Sequence, residues 1–267
     1  MAHALIFDSG VGGLSVSREI RKRCTHLRQS YVADDIFRPY GEKTEDLLRQ
    51  RLPGLLSTLE TMLAPDVIVI ACNTASTTAL RVIREAVKAP VIGVVPAIKP
   101  AAEQSRTGTF AVLGTPGTVE RKYVDGLISE FAQDKNVLLQ GSVNLVDIAE
   151  AKLAGRPVDL TRIQAELSPL FAGRDGANID VVVLACTHFP LLREELKRSV
   201  TQSVKWIDSG AAIARRVEHV LGKKKAERGG PQNNDMAFLI GPNPEPAREE
   251  TFKSFGFERV IGLCSVT

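Results

Sequence analysis

The chain contains the stretch Asp66-Val-Ile-Val-Ile-Ala-Cys72-Asn-Thr74, and a close copy returns as Asp180-Val-Val-Val-Leu-Ala-Cys186-Thr-His188. Each copy begins as a run of β-branched and aliphatic residues, which is typical of a strand buried on both faces. In each copy the apolar run ends at a cysteine, and polar residues follow it. A cysteine directly after a predicted buried strand thus occurs twice, and such a repeat predicts a duplicated fold.

Shorter echoes extend this duplication along the chain. Leu5-Ile-Phe-Asp-Ser-Gly10 resembles Ala111-Val-Leu-Gly-Thr-Pro116, and each precedes one of the two cysteine stretches. Trp206-Ile-Asp-Ser-Gly210 resembles the first of these again, which suggests that the chain returns to its first half after about residue 208. We therefore expect two similar domains, 1–95 with 209–267 and 96–208.

Short apolar runs alternate with longer amphipathic segments, which indicates βαβ units and a mostly parallel sheet. The expected fold is α/β, with two similar three-layer domains related by a pseudo-two-fold axis and a site in the cleft between them. The predicted strands are Leu5–Asp8, Ser30–Ala33, Val67–Ala71, Pro90–Val94, Phe110–Gly114, Val137–Gln140, Val181–Ala185, Val204–Asp208 and Phe238–Ile240.

The composition indicates a folded globular protein, since 44% of the 267 residues are hydrophobic and 24% are charged. The net charge of +3 comes without the basic stripe of a nucleic-acid binder. The one basic run, Lys223 to Lys225, is expected in an exposed loop. No signal peptide, membrane span or secreted disulfide pattern is apparent, so we expect a cytoplasmic protein with reduced thiols and no membrane partner.

The two repeated cysteines are the candidate chemistry. Ligands of parallel sheets bind at the carboxyl ends of the strands, which is where Cys72 and Cys186 are expected. A free thiol ionises near pH ~8.5, so one thiol can remove a proton while the other delivers one, as inversion of a carbon centre without a cofactor requires. The pair predicts a cofactor-independent amino-acid racemase. Cys24 and Cys264 lack these surroundings and are expected to be core residues.

Polar residues accompany the cysteines at the predicted strand ends. Asp8 and His188 are candidates for tuning or relaying the protons of the two thiols. Backbone amides at the following helix N-termini add affinity for anions. The expected ligand is therefore small, polar and anionic, with uncharged hydrogen bonds from Ser9, Asn73, Thr74, Thr115, Thr118 and Thr187.

A dinucleotide-binding enzyme is a rival interpretation. Gly10-Val-Gly-Gly13 follows a strand, and Asp34 and Asp35 end the next one. The glycine fingerprint is incomplete, because Ser15 stands where it requires a further glycine. This interpretation also gives the repeated cysteines no role.

The thiols themselves permit three more interpretations. A thiol hydrolase or transferase would use Cys186 as nucleophile and His188 as base, but it would leave Cys72 idle. A zinc site from these three residues lacks a paired-ligand spacing, so no metal is expected. A non-enzymatic binding module would tolerate serine at either cysteine.

Five motifs spread over nearly the whole chain closely resemble the glutamate racemases of the Asp/Glu racemase superfamily. The resemblance implies interconversion of L- and D-glutamate for peptidoglycan synthesis, without a cofactor, by a homodimer; aspartate racemase is the close alternative. The motifs are Phe7-Asp-Ser-Gly-Val-Gly-Gly-Leu-Ser-Val16, Pro39-Tyr-Gly41, Ala71-Cys-Asn-Thr74, Leu113-Gly-Thr-Pro116 and Leu184-Ala-Cys-Thr-His188.

The resemblance also implies roles for individual residues. Cys72 would take the α-proton of D-glutamate and Cys186 that of L-glutamate, with Asp8 and His188 assisting. The implied substrate contacts are Asp8, Ser9, Pro39, Tyr40, Gly41, Cys72, Asn73, Thr74, Thr115, Thr118, Glu150, Cys186, Thr187 and His188.

The chain departs from the family pattern before Pro39. Here it reads Phe37-Arg38, so the resemblance assigns no role to either side chain. The N-terminus lacks the extension through which some members respond to a cell-wall precursor, and we expect no such activation.

Overall fold

The computed structural model describes residues 2–222, 234–241 and 244–263. The basic run from Lys223 to Lys225 and Cys264 lie outside these residues. The described chain forms two compact units, one running up to Val94 and resuming at Gly210, the other spanning Val95–Ser209. No helix in the described ranges is both long and apolar enough to cross a bilayer.

Along the chain, strands alternate with one or more helices. The strands are β1 (His3–Asp8), β2 (Arg28–Ala33), β3 (Val67–Ile70), β4 (Val91–Gly93), β5 (Thr109–Gly114), β6 (Asn136–Gly141), β7 (Val181–Leu184), β8 (Lys205–Ile207), β9 (Met236–Ile240) and β10 (Arg259–Leu263). The helices are α1 (Leu14–Arg23), α2 (Glu45–Leu63), α3 (Asn73–Ala86), α4 (Ile98–Gln104), α5 (Pro116–Val119), α6 (Lys122–Phe131), α7 (Asn144–Leu153), α8 (Leu160–Phe171), α9 (Gly173–Gly176), α10 (Arg193–Arg198), α11 (Gly210–Leu221) and α12 (Pro246–Ser254).

Each unit is built on one parallel sheet. The first unit has the strand order β10-β9-β2-β1-β3-β4 and the second has β6-β5-β7-β8. Both sheets therefore contain the same pattern, in which the first strand of the unit lies between the second and the third. The α/β class with two mostly parallel sheets is confirmed.

This shared order explains what the repeated cysteine stretches become. They form β3 and β7, which are the third strands of their units and are buried along their whole length. Each pairs directly with the first strand of its unit, β1 or β5. The chain winds to one side of that first strand and then to the other, and ligands of parallel sheets bind at such a switch point.

The second unit has three layers, because alternate residues of its strands face opposite helix layers. Ala111 and Leu113 pack with residues of α7 and α8, whereas Phe110 and Val112 pack with residues of α4 and α6. In the first unit, one face of the sheet is covered by α2 and α3 through the following buried residues: Leu48, Leu52, Leu55, Leu56, Leu59, Ala75, Ala79 and Ile83.

All nine predicted strands are present, with ends shifted by one or two residues. The sequence prediction missed β10, an edge strand that pairs only with β9 among the described strands. Its Arg-Val-Ile-Gly-Leu run is interrupted by glycine and only partly buried, so it lacks the pattern of a central strand. Cys24 is buried at the end of α1, as predicted for a core residue.

Candidate active site

Asp8 is the last residue of β1 and is completely buried. Its Oδ2 accepts a hydrogen bond of 2.5 Å from the backbone N–H of Gly13, the residue that caps α1. The Tyr31 hydroxyl lies 3.4 Å from the same oxygen and donates to the Gly10 carbonyl at 2.7 Å. The carboxylate thus lies at a helix N-terminus, where the helix dipole favours negative charge.

The close approach of α1 to Asp8 depends on Gly13. A Cβ at this position would lie 2.8 Å from Tyr31 Oη and 3.0 Å from the Cβ atoms of Asp8 and Ala71. We expect Gly13→Ala to lower the free energy of unfolding by about 1–3 kcal/mol, the usual cost of overpacking a core. Urea unfolding followed by circular dichroism measures this change.

The matched control is Gly126→Ala in α6, where a new Cβ would meet nothing within 4 Å. We expect this variant to gain about 0.5–1 kcal/mol, because alanine is favoured over glycine in a helix interior. Equal stability of Gly13→Ala and the unchanged protein would contradict the close-packing argument.

Cys72 lies between β3 and α3 and is nearly buried. Its Sγ accepts a hydrogen bond from the Ala75 backbone N–H at 3.5 Å and lies 3.8 Å from Ser9 Oγ. Asn73 and Thr74 begin α3 and are also buried. Asn73 Oδ1 receives no hydrogen bond from the part of the chain that the structure describes. The thiol and a hydrogen-bond acceptor thus lie together at the start of a helix.

The segment Pro39-Tyr40-Gly41 follows β2 and contains a buried tyrosine side chain. The Tyr40 hydroxyl donates to Asp34 Oδ2 at 2.6 Å. Burial of Tyr40, and next the negative charge of Asp34, raise the pKa of this hydroxyl well above its usual value. Tyr40 is therefore a neutral hydrogen-bond donor held inside the unit.

Two nearby side chains had no predicted role. The Arg38 guanidinium pairs with Asp35 at 3.0 Å, and the peptide bond between Arg38 and Pro39 is cis. The Phe37 ring packs against the Tyr40 ring with 6.1 Å between centroids. Arg38 therefore has its partner in the segment before the turn, and Phe37 has its partner in the turn itself.

Cys186 follows β7 in the second unit and belongs to a chain of three polar groups. Its Sγ lies 3.9 Å from His188 Nδ1, and His188 Nε2 lies 2.9 Å from Glu150 Oε1 on α7. All three side chains are buried or nearly so. The sulfur and the carboxylate thus contact opposite nitrogens of one imidazole ring.

The charge of His188 follows from these contacts. Burial alone lowers the pKa of the imidazole, but its hydrogen bonds to Cys186 and Glu150 and their negative charges outweigh burial and raise that pKa to about 10. At neutral pH the ring is an imidazolium that can donate from both nitrogens. A cation beside a sulfur atom stabilises negative charge on that sulfur.

Three threonines complete the strand ends of the second unit. Thr115 follows β5, and its Oγ1 lies 3.1 Å from Oγ1 of Thr118 in α5. Thr187 lies between Cys186 and His188 and is buried. Because β5 and β7 are neighbours, these hydroxyls and the Cys186 thiol belong to one edge of the sheet.

The predicted site residues form two sets, one in each unit. The first set follows β1, β2 and β3: Asp8, Ser9, Pro39, Tyr40, Gly41, Cys72, Asn73 and Thr74. The second set follows β5 and β7, with one residue from α7: Thr115, Thr118, Glu150, Cys186, Thr187 and His188. Each set therefore provides one cysteine and at least one acidic residue.

Sequence reasoning missed two supporting residues, Tyr31 and Arg51. Tyr31 is a buried tyrosine in β2 and contacts Asp8, and Arg51 on α2 binds both carboxylate oxygens of Asp34. Neither belongs to a local motif. For Asp34 the sequence indicated only a role in dinucleotide binding, but its bonds to Arg51 and Tyr40 already occupy both of its oxygens.

Comparison with known proteins gives consistent results. A sequence model of the Asp/Glu/Hydantoin racemase family matches residues 13–217. A glutamate racemase of Vibrio cholerae is 44% identical over 256 residues, which cover 96% of this chain and 94% of that protein. One of Brucella anthropi is 43% identical over 253 residues, which cover 94% and 91% respectively.

Solved structures agree with these relatives. The crystal structure of Escherichia coli glutamate racemase in complex with L-glutamate and the activator UDP-MurNAc-Ala superposes with a TM-score of 0.92 at 39% identity. That match covers 100% of this chain and 99% of the other. The chain therefore belongs to the Asp/Glu/Hydantoin racemase family and is an amino-acid racemase.

Proposed function

We propose that the protein interconverts L- and D-glutamate, with Cys72 and Cys186 as the two proton-transferring groups. The observation that carries this proposal is the matched position of the thiols. Each follows the third strand of its unit, which lies directly beside the first strand in the four-strand order that the two sheets share. A structural cysteine has no reason to recur at the switch point of both units.

The reaction needs only these two groups for its proton balance. From L-glutamate, the Cys186 thiolate removes the α-proton and becomes a thiol, and the electron pair of the broken C–H bond remains on the α-carbon. The Cys72 thiol then delivers its proton to the opposite face and becomes a thiolate. From D-glutamate the same steps run in reverse. The mechanism requires both thiols to reach one substrate carbon.

The groups around each thiol favour its charged form, which each thiol needs when it acts as the base in one direction of the reaction. Beside Cys186, the His188 imidazolium stabilises a thiolate, and Glu150 holds that ring in place. Beside Cys72, the N-terminus of α3 favours negative charge, and Asp8 lies at the adjoining strand end. We propose Asp8 and His188 as assisting residues in the two half-reactions.

The remaining predicted residues supply uncharged contacts for the substrate. Asn73 Oδ1 is an acceptor suited to the α-ammonium group, and the threonine hydroxyls suit the carboxylates. We propose that the rest of the substrate contacts come from Ser9, Pro39, Tyr40, Gly41, Thr74, Thr115, Thr118 and Thr187.

We also propose that the chain has two domains, one formed by residues 1–95 with 209–267 and the other by residues 96–208.

Glutamate is preferred to aspartate because relatives above 40% identity are named glutamate racemases and the similar E. coli structure was solved with L-glutamate. D-glutamate made in this way would serve peptidoglycan synthesis. We also propose that the protein is cytoplasmic and forms a homodimer. The free thiols Cys72 and Cys186 support a reducing compartment.

Incubation with L-glutamate in deuterated water tests the activity. We expect the optical rotation to fall to zero while deuterium enters the α-position, because each inversion delivers a proton exchanged with solvent. L-aspartate in a parallel reaction is expected to turn over at least about tenfold more slowly, since one methylene typically contributes ~1–3 kcal/mol to discrimination. Polarimetry and proton NMR follow both reactions.

Absence of rotation change and of exchange with either amino acid would refute the racemase proposal. Faster turnover of aspartate than of glutamate would instead assign the aspartate specificity. Size-exclusion chromatography with light scattering tests the homodimer separately, and a single monomeric species would refute it.

A further inference from the structure

We propose that Arg51 is a positioning residue for the substrate: through Asp34 it holds Tyr40 and so sets the turn Pro39-Tyr-Gly41. This inference rests on the proposed function, in which that turn contacts glutamate. Arg51 lies on α2, outside every motif of the sequence. Its guanidinium is nonetheless directed inward, to the end of β2.

Asp34 connects Arg51 to Tyr40. This aspartate follows β2 and has no exposed surface. Its Oδ2 accepts Arg51 Nε at 2.7 Å and the Tyr40 hydroxyl at 2.6 Å, and its Oδ1 accepts Arg51 Nη2 at 2.7 Å. A planar guanidinium matches a carboxylate with two parallel hydrogen bonds. The two bonds from Arg51 therefore fix the orientation of the Asp34 carboxyl group, and with it the oxygen that accepts the Tyr40 hydroxyl.

Arg51 also contacts the segment before the turn. Its guanidinium lies over the Phe37 ring, 4.8 Å from the centroid, and that ring packs edge-on against Tyr40. At the other end, the Asp34 backbone N–H donates to the Asp8 carbonyl at 2.9 Å. The segment is therefore held through Asp34 at its start and through Phe37 in its middle, both by one arginine. A turn fixed in this way is ordered before substrate binds.

The first test is Arg51→Lys. Lysine retains the positive charge, but a single ammonium cannot reproduce the two parallel N–H bonds. The turn is proposed to contact parts of glutamate that do not react, so its displacement weakens ground and transition states alike. We expect KM for both enantiomers to rise about tenfold while kcat stays within about twofold of the unchanged protein. A purely structural role would instead reduce the folded fraction, which lowers kcat at constant KM.

The second test is Tyr40→Phe, which removes only the hydroxyl and leaves the Asp34–Arg51 pair intact. We expect a rise in KM similar to that of Arg51→Lys. The double variant is expected to raise KM no further than the larger single effect, because both changes break the same connection. Arg49→Lys is the matched control: Arg49 lies on the same helix, is half exposed, and contacts Glu45 and the Thr78 carbonyl instead of Asp34, so KM should not change.

The outcomes separate this inference from the proposed function. No racemisation by the unchanged protein would overturn the function itself. With an active parent, an unchanged KM in Tyr40→Phe overturns the inference, even if Arg51→Lys does not fold. The inference is also overturned if both single variants raise KM and the double variant raises it by the product of the two factors. The two residues would then act independently.

Discussion

Replacing either Cys72 or Cys186 by serine is expected to lower kcat for racemisation by about 10²–10⁴-fold in both directions, the usual contribution of a positioned acid or base. Both directions lose rate because, in the proposed mechanism, each thiol is the base for one enantiomer and the acid for the other. A serine hydroxyl is a far weaker acid and cannot carry negative charge at neutral pH. Initial rates by circular dichroism, starting from each enantiomer, measure the loss.

Proton exchange distinguishes the two variants more sharply than the rates do. The thiol that remains can still remove the α-proton of the enantiomer it faces and return a deuteron to the same face. Cys72→Ser should therefore incorporate deuterium into L-glutamate without inversion, and Cys186→Ser should do so into D-glutamate. Proton NMR in deuterated water, with chiral separation of the products, detects this pattern.

Cys24→Ser is the matched control, because Cys24 is buried at the end of α1 and belongs to neither strand-end set. It should retain the kcat of the unchanged protein. If Cys72→Ser or Cys186→Ser racemised glutamate at the parent rate, the two-thiol mechanism would be wrong. Exchange into the opposite enantiomer would reverse the assignment of the thiols.

The fold was predictable because its central strands carry strong local signals. In β3 and β7 every residue is apolar and buried, so an uninterrupted run of valine, isoleucine and leucine identifies them. The edge strand β10 carries a weaker signal, since its residues are only partly buried and include a glycine. The sheet order that makes the two units alike depends on strand pairing, which no single stretch of sequence encodes.

The candidate site was predictable only in part for a similar reason. Cys72 and Cys186 stand in repeated local patterns, and His188 is next but one to Cys186. Glu150 was indicated by family resemblance alone, because its contact with His188 joins α7 to the end of β7. The pairing of Arg51 with Asp34 likewise joins a helix to a strand end and becomes visible only after the unit folds.

His188→Asn is expected to lower kcat for racemisation by about 10²-fold or more, because it removes the cation that we propose stabilises negative charge on Cys186 during the reaction. Asparagine approximates the position of Nδ1 but cannot become charged. His219→Asn on the exposed face of α11 is the matched control and should keep the parent kcat. Rates at neutral pH by circular dichroism give the comparison.

The pH dependence of His188→Asn tests whether the positive charge of His188 is the reason for this loss of kcat. The pKa of His188 is raised to about 10, above the ordinary imidazole value of 6.5. Its contribution to stability is therefore fully present below pH 6.5 and is lost as the pH rises through about 10. The unchanged protein should lose kcat and unfolding free energy over this interval, whereas His188→Asn should lack the part of both declines that this imidazole causes. Identical pH profiles for the two proteins would show that His188 is not the charged partner of Cys186, and the thiolate would need another source of stabilisation.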